Sequence, residues 1–168
     1  MTRFEICLPR ILEHEGGWSD HPSDPGGATM KGVTLETYSN WLGRKATKDE
    51  LRNIPSSHLN AIYRDNYWKT AACDKLPAGL DYVVFDLAVN SGPMKAKRML
   101  QQSVKADADG IIGPATLAAI RTMGTAEAIR KLCASREAFY RSLKTFPTFG
   151  KGWLNRLHEV EVIALGEA

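Results

Sequence analysis

The chain has 168 residues, 43% of them hydrophobic and 24% charged, a balance that excludes intrinsic disorder and fits one domain or two lobes sharing a core. A net charge of +3 suits an anionic partner without singling one out, and scattered basic residues with no recognition motif argue against nucleic acid. Cys7, Cys73 and Cys133 lack C-x-x-C spacing and the four histidines form no H-E-x-x-H pattern, so buried free thiols are expected, with no metal and no cofactor.

The opening segment MTRFEICLPRILEHE places Glu5, Pro9 and Arg10 where a signal peptide would have its apolar core, so none is expected. No run approaches the ~20 apolar residues of a membrane span. Phe4, Leu8, Ile11, Leu12 and Glu15 fall on one face of a helix over 2–16, whose one flaw is Pro9. Glu15 therefore continues a core-facing stripe, and Gly16-Gly17 offers a helix C-terminus beside it. Desolvation and the partial negative charge of that terminus both favour a protonated carboxyl, the form a general acid needs.

After Glu15 the chain runs into Ser23-Asp24-Pro25-Gly26-Gly27, which is turn chemistry, so Asp24 is expected wet and ionised. Two carboxylates in such different settings suit acid-catalysed hydrolysis, one as acid and one as base. Thr29 and Thr34 alternate with Met30, Gly32 and Val33 as a short hairpin strand would, and either hydroxyl can hold an attacking water with Asp24. Thr34 also reads as the N-cap of the next helix. Trp18, on a glycine-flanked loop near Glu15, is placed to form a cleft wall against a sugar face.

Residues 15–34, E-G-G-W-x-x-x-P-x-D-P-G-G-x-T-x-x-G-V-T, resemble the signature of glycoside hydrolase family 108, lysozyme-like endolysins of phages and prophages that cut peptidoglycan. The Glu15, Asp24, Thr29 spacing is similar to that of tailed-phage lysozymes and favours Thr29 over Thr34 as third member. The resemblance implies Glu15, Asp24 and Thr29 as catalytic residues; Trp18 and Thr34 are candidates against substrate from their own positions.

Farther on, Thr34 opens a helix through Leu35, Tyr38, Trp41 and Leu42 to Gly43, and Thr47-Lys48-Asp49-Glu50 is a capping box. Pro55-Ser56 starts a helix with Leu59, Ile62, Tyr63, Tyr67 and Trp68 on its apolar side; core packing is expected for Tyr63 and Trp68, and sugar stacking is open to Tyr67. Leu80 to Val89 reads as a buried central helix, with a strand as runner-up. Asp81 and Asp86 on it require partners that the sequence does not reveal. F-D-L-A-V-N-S-G is similar to the family's second block, which makes Asn90 a candidate ligand for a sugar acetamido group besides a helix cap.

Lys95, Lys97, Arg98 and Lys105 read as a solvated face, with anionic wall polymer as the alternative. Residues 100–120, especially D-G-I-I-G-P-A-T, resemble the predicted peptidoglycan-binding segment of these endolysins. Asp107 and Asp109 mimic a calcium loop but lack its third acid and its Glu at position twelve. A long helix from Thr125 is stopped by Pro147, and a last one carries Trp153, Leu157, Val160 and Ile163.

The expected fold is mainly α, a lysozyme-like two-lobed helical body with a small hairpin after the first helix. Residues 1–76 form a catalytic lobe and 77–168 a peptidoglycan-binding-like lobe, with a cleft between them. The implied activity is muramidase hydrolysis of the β-1,4 bond between N-acetylmuramic acid and N-acetylglucosamine, inverting if the carboxyls lie roughly 6.5 to 9.5 Å apart. Alternatives are a lytic transglycosylase and a non-catalytic wall-binding protein. A monomer without stable membrane insertion is expected, and family resemblance further implies that a phage holin releases it from the host cytoplasm to the wall.

Overall fold

The computed structural model describes residues 1–168 and resolves them into two compact units, Met1–Asn66 and Tyr67–Ala168. The fold is mainly α and lysozyme-like, with one small sheet, as expected from the sequence.

In the first unit, α1 (Arg3–His14) begins at a capping box in which Glu5 N–H donates to Thr2 Oγ1 at 3.3 Å and Thr2 N–H to Glu5 Oε2 at 2.7 Å. It buries Phe4, Cys7, Leu8 and Ile11 and leaves Pro9 on the exposed side, where the helix passes it unbroken. The helix ends at His14, earlier than expected. Glu15 already has extended backbone (φ −88°, ψ 122°), and neither Gly16 nor Gly17 takes a left-handed φ, so entry into the sheet ends α1 and not a glycine cap.

That sheet has three antiparallel strands, β1 (Trp18–Ser19), β2 (Thr29–Met30) and β3 (Val33–Thr34). Its first strand lies in a stretch expected as loop. Trp18 pairs with Met30 and Ser19 with Thr29; Thr29 then faces Thr34 and Met30 faces Val33. Lys31 (φ 47°) and Gly32 (φ 78°) form the two-residue turn, both left-handed as a type I′ hairpin requires.

Thr34 caps α2 (Leu35–Leu42): Thr37 N–H donates to its Oγ1 at 3.0 Å, and left-handed Gly43 closes the helix. The expected capping box opens α3 (Lys48–Arg52), and Glu50 is further bound by Arg44 at 2.7 Å. The Arg44 hydrogen bond, with the Thr47 N–H, pulls the Glu50 carboxyl down to about 2. Next come α4 (Ser56–Tyr63) and a π-helical segment, Arg64–Lys69. On this π segment Trp68 is buried, as the sequence suggested, and Tyr67 is half-buried.

Residues 67–76, expected with the first lobe, pack in the second unit. Trp68 meets the Phe85 ring edge-on at 5.2 Å, and its indole N–H donates to Asp74 Oδ1 at 2.6 Å. Phe85 belongs to α5 (Leu80–Ser91), which is buried throughout from Leu80 to Ala88 and is a helix, not the alternative strand. Around it lie α6 (Pro93–Ser103), α8 (Thr125–Ser142) and α9 (Phe146–Leu165), and α7 (Pro114–Met123) packs on α8. Pro147 sits in the first turn of α9, so it starts a helix and does not stop one.

Asp86, fully buried, is paired with fully buried Arg136 at 2.7 Å and with Arg156, whose Nε and Nη2 donate at 3.0 and 2.8 Å. Asp81 Oδ1 accepts from the Tyr82 N–H at 2.7 Å. Gln101, also buried, clamps the D-G-I-I-G-P-A-T stretch. Its Nε2 donates to Asp109 Oδ1, Ile111 O and Thr116 Oγ1, and its Oε1 accepts from the Gly110 N–H. Gly110, Ile112 and Thr116 of this stretch are buried, while Asp109, Ile111, Pro114 and Ala115 stay exposed. The three cysteines are free and buried, and desolvation pushes the Cys133 thiol up to about 12.

Candidate active site

Glu15 leaves α1 half-buried, and the hairpin turn forms its seat. A Cβ added to Gly32 would lie 2.8 Å from Glu15 Oε2 and 2.6 Å from Tyr63 Oη, so only a glycine lets the turn, the carboxylate and the phenol meet. The turn is fastened on two sides. Tyr63 Oη donates to Lys31 O at 2.7 Å, and Lys31 N–H donates to Gly17 O at 3.3 Å.

Asp24 stands on the β1–β2 connection in the open, as its turn chemistry suggested. Its Oδ1 accepts the Gly26 N–H at 2.9 Å and its carbonyl accepts the Gly27 N–H at 3.0 Å, a local Asx turn that leaves Oδ2 to solvent.

The ladder separates the two threonines by commitment and not by direction. Thr29 and Thr34 are cross-strand partners and share one face of the hairpin. Thr34 Oγ1 accepts from Thr37 N–H and donates to Thr37 Oγ1 at 2.9 Å, so its hydroxyl belongs to the cap. Thr29 Oγ1 has no partner within the protein. Trp18 pairs with Met30 and so takes the other face, with buried Val33; the Arg52 guanidinium lies 5.6 Å over its ring. Of the remaining candidates, Tyr67 is half-buried on the π-helical segment. Asn90, exposed at the end of α5, donates through Nδ2 to Asp86 O and Oδ2 at 3.1 and 3.3 Å.

Residues 8–92 match glycosyl hydrolase family 108, a span that contains Glu15, Asp24, Thr29 and every other candidate above. The chain belongs to glycosyl hydrolase family 108. Residues 95–158 of this family member match a second family, described as a predicted peptidoglycan domain. The chain is similar to SagA of Brucella abortus, a solved structure, at 47% identity over 98% of this chain and 94% of that one, with a TM-score of 0.86. No curated protein matches it. The chain is thus a glycoside hydrolase acting on peptidoglycan.

Gly32 and Tyr63 were not expected from the sequence as parts of this candidate site. Gly32 stands in the motif, but nothing local signals a carboxylate behind it, and Tyr63 reads as core, which its ring is. Gly32→Ala should therefore act twice. A left-handed alanine costs about 1–2 kcal/mol, and the displaced carboxyl should lower turnover by about 10²-fold. Thermal unfolding and wall hydrolysis measured on the same preparation check this; a folded Gly32→Ala protein with unchanged turnover means that the Glu15 seat does not matter to the reaction.

Proposed function

We propose that the chain is a muramidase, hydrolysing the β-1,4 bond between N-acetylmuramic acid and N-acetylglucosamine with inversion. Glu15 protonates the leaving glycosidic oxygen. Asp24 accepts a proton from water, and that water adds to the anomeric carbon from the opposite ring face, with Thr29 Oγ1 as its second anchor. The atoms balance without a covalent intermediate: water supplies the hydroxyl to the sugar and its proton to Asp24, while the leaving sugar takes the Glu15 proton.

The observation that carries this reading is the contrast between the two carboxyls. Glu15 is half-buried against a turn that tolerates no side chain, whereas Asp24 is exposed and its Oδ2 is open to water. An acid held by packing and a base in contact with solvent suit a water-dependent displacement better than a transglycosylase, which needs no water. We also place the enzyme in bacterial lysis, acting from the host cytoplasm through a holin, on the strength of its motif alone.

Product analysis tests the reading. Purified wall is digested and the new ends are reduced with borohydride; muramitol as the new terminus, formed from the α anomer, is the expected result. A 1,6-anhydro product makes the enzyme a lytic transglycosylase, and glucosaminitol moves the cut to the other sugar.

A further inference from the structure

The second unit contains a pocket of ≈ 320 Å³, lined among others by Asn90, Lys95, Phe139, Tyr140, Trp153 and Arg156. Its wall is aromatic. Tyr140 lies 5.6 Å from Trp153 at 45° and 5.8 Å from Phe139 at 49°, and Phe149, 55% exposed, stacks on Trp153 at 6.0 Å. Buried Arg136 holds the Tyr140 hydroxyl at 2.9 Å, so the rings are mounted on a fixed support.

The two cations at this pocket differ. Arg156 is held by Asp86, but the Lys95 ammonium sits 3.2 Å over the Phe139 ring with no carboxylate in salt-bridge reach. Asn90, anchored through its nitrogen on Asp86, keeps its amide oxygen as an acceptor. Ring faces suit the apolar side of a saccharide, the amide suits an acetamido N–H, and an unneutralised ammonium suits a carboxylate. Neutral glycan satisfies only the first two.

We infer that this pocket binds a muramyl-peptide unit of the wall, with the amino sugar against Trp153 and an acidic carboxylate of the peptide stem on Lys95, which Phe139 supports. The inference rests on peptidoglycan being the substrate, but not on the bond cut or on Glu15. The match of residues 95–158 to a peptidoglycan domain is consistent with it and assigns no residue.

The test uses the full chain titrated with muramyl dipeptide, which carries a free carboxylate and has no glycosidic bond to cleave, and in parallel with uncharged chitotriose. Indole resonances followed by NMR report contact with Trp153, assigned from Trp153→Phe. Expected are a shift of the Trp153 signal by muramyl dipeptide, and a loss of about tenfold in its affinity in Lys95→Met with chitotriose unaffected. Methionine keeps the stem of the lysine on Phe139, and an unchanged unfolding midpoint shows that the variant is folded. An unmoved Trp153 signal, or equal affinity of Lys95→Met and the parent for muramyl dipeptide, overturns the proposal. Because the probe is not a substrate, this outcome is independent of the reduced-end analysis, and either can fail alone.

Discussion

Glu15→Gln should lower wall hydrolysis by about 10²–10⁴-fold, the usual worth of one general acid, while the protein should stay folded and still bind wall. The amide reproduces the shape of the carboxyl, so it fits against Gly32 and Tyr63 where a Cβ on Gly32 would not. What it removes is a proton that can be given to the leaving oxygen. Release of reducing ends from purified wall, compared at equal folded concentration by circular dichroism, measures the effect. Activity within tenfold of the parent would show that another group supplies the proton, and the assignment of Glu15 would be lost.

The second large effect is on stability. Asp86→Ala should destabilise the protein by about 3–5 kcal/mol, a large share of the ~5–15 kcal/mol that holds a domain folded. Arg136 is fully buried, and its Nε and Nη1 have no acceptor, so Asp86 is the anion it depends on. Burial works against the Arg136 cation, yet the Asp86 carboxylate and the Tyr140 hydroxyl outweigh it and hold the guanidinium above its ordinary value. Removing the carboxylate strands that charge in the core and also releases Arg156. Replacing the pair together, as Asp86→Leu with Arg136→Met, should recover most of the loss, because it removes the stranded charge along with its partner. Urea unfolding of the single and double variants decides it; a single variant within 1 kcal/mol of the parent would mean that the pair does not support the fold.

The Asp86 cluster also shows where sequence reading ends. The buried run around α5 announced that its two aspartates need partners, but Arg136 and Arg156 stand 50 and 70 residues away, and no periodicity connects them. The same holds at the candidate site. The turn at Asp24 and the caps at Thr34 and Thr47 were legible because each is built from residues within a few positions. The contact of Tyr63 with the Lys31 carbonyl, 32 residues back, was not.

By itself, then, the sequence determined the elements whose causes are local: the apolar stripe of α1, the hairpin, the capped helices, the buried α5 and a motif that carries the family. Tertiary structure alone decided that Glu15 lies just past its helix and rests on Gly32, and that Trp18 takes the face opposite Thr29 and Thr34. It alone brought Lys95, Phe139 and Trp153 to one pocket. The reason is physical. Hydrogen bonding and steric preference along the chain act over a turn or two, whereas which distant side chains meet depends on how whole helices bury their apolar faces, a choice that no single segment encodes.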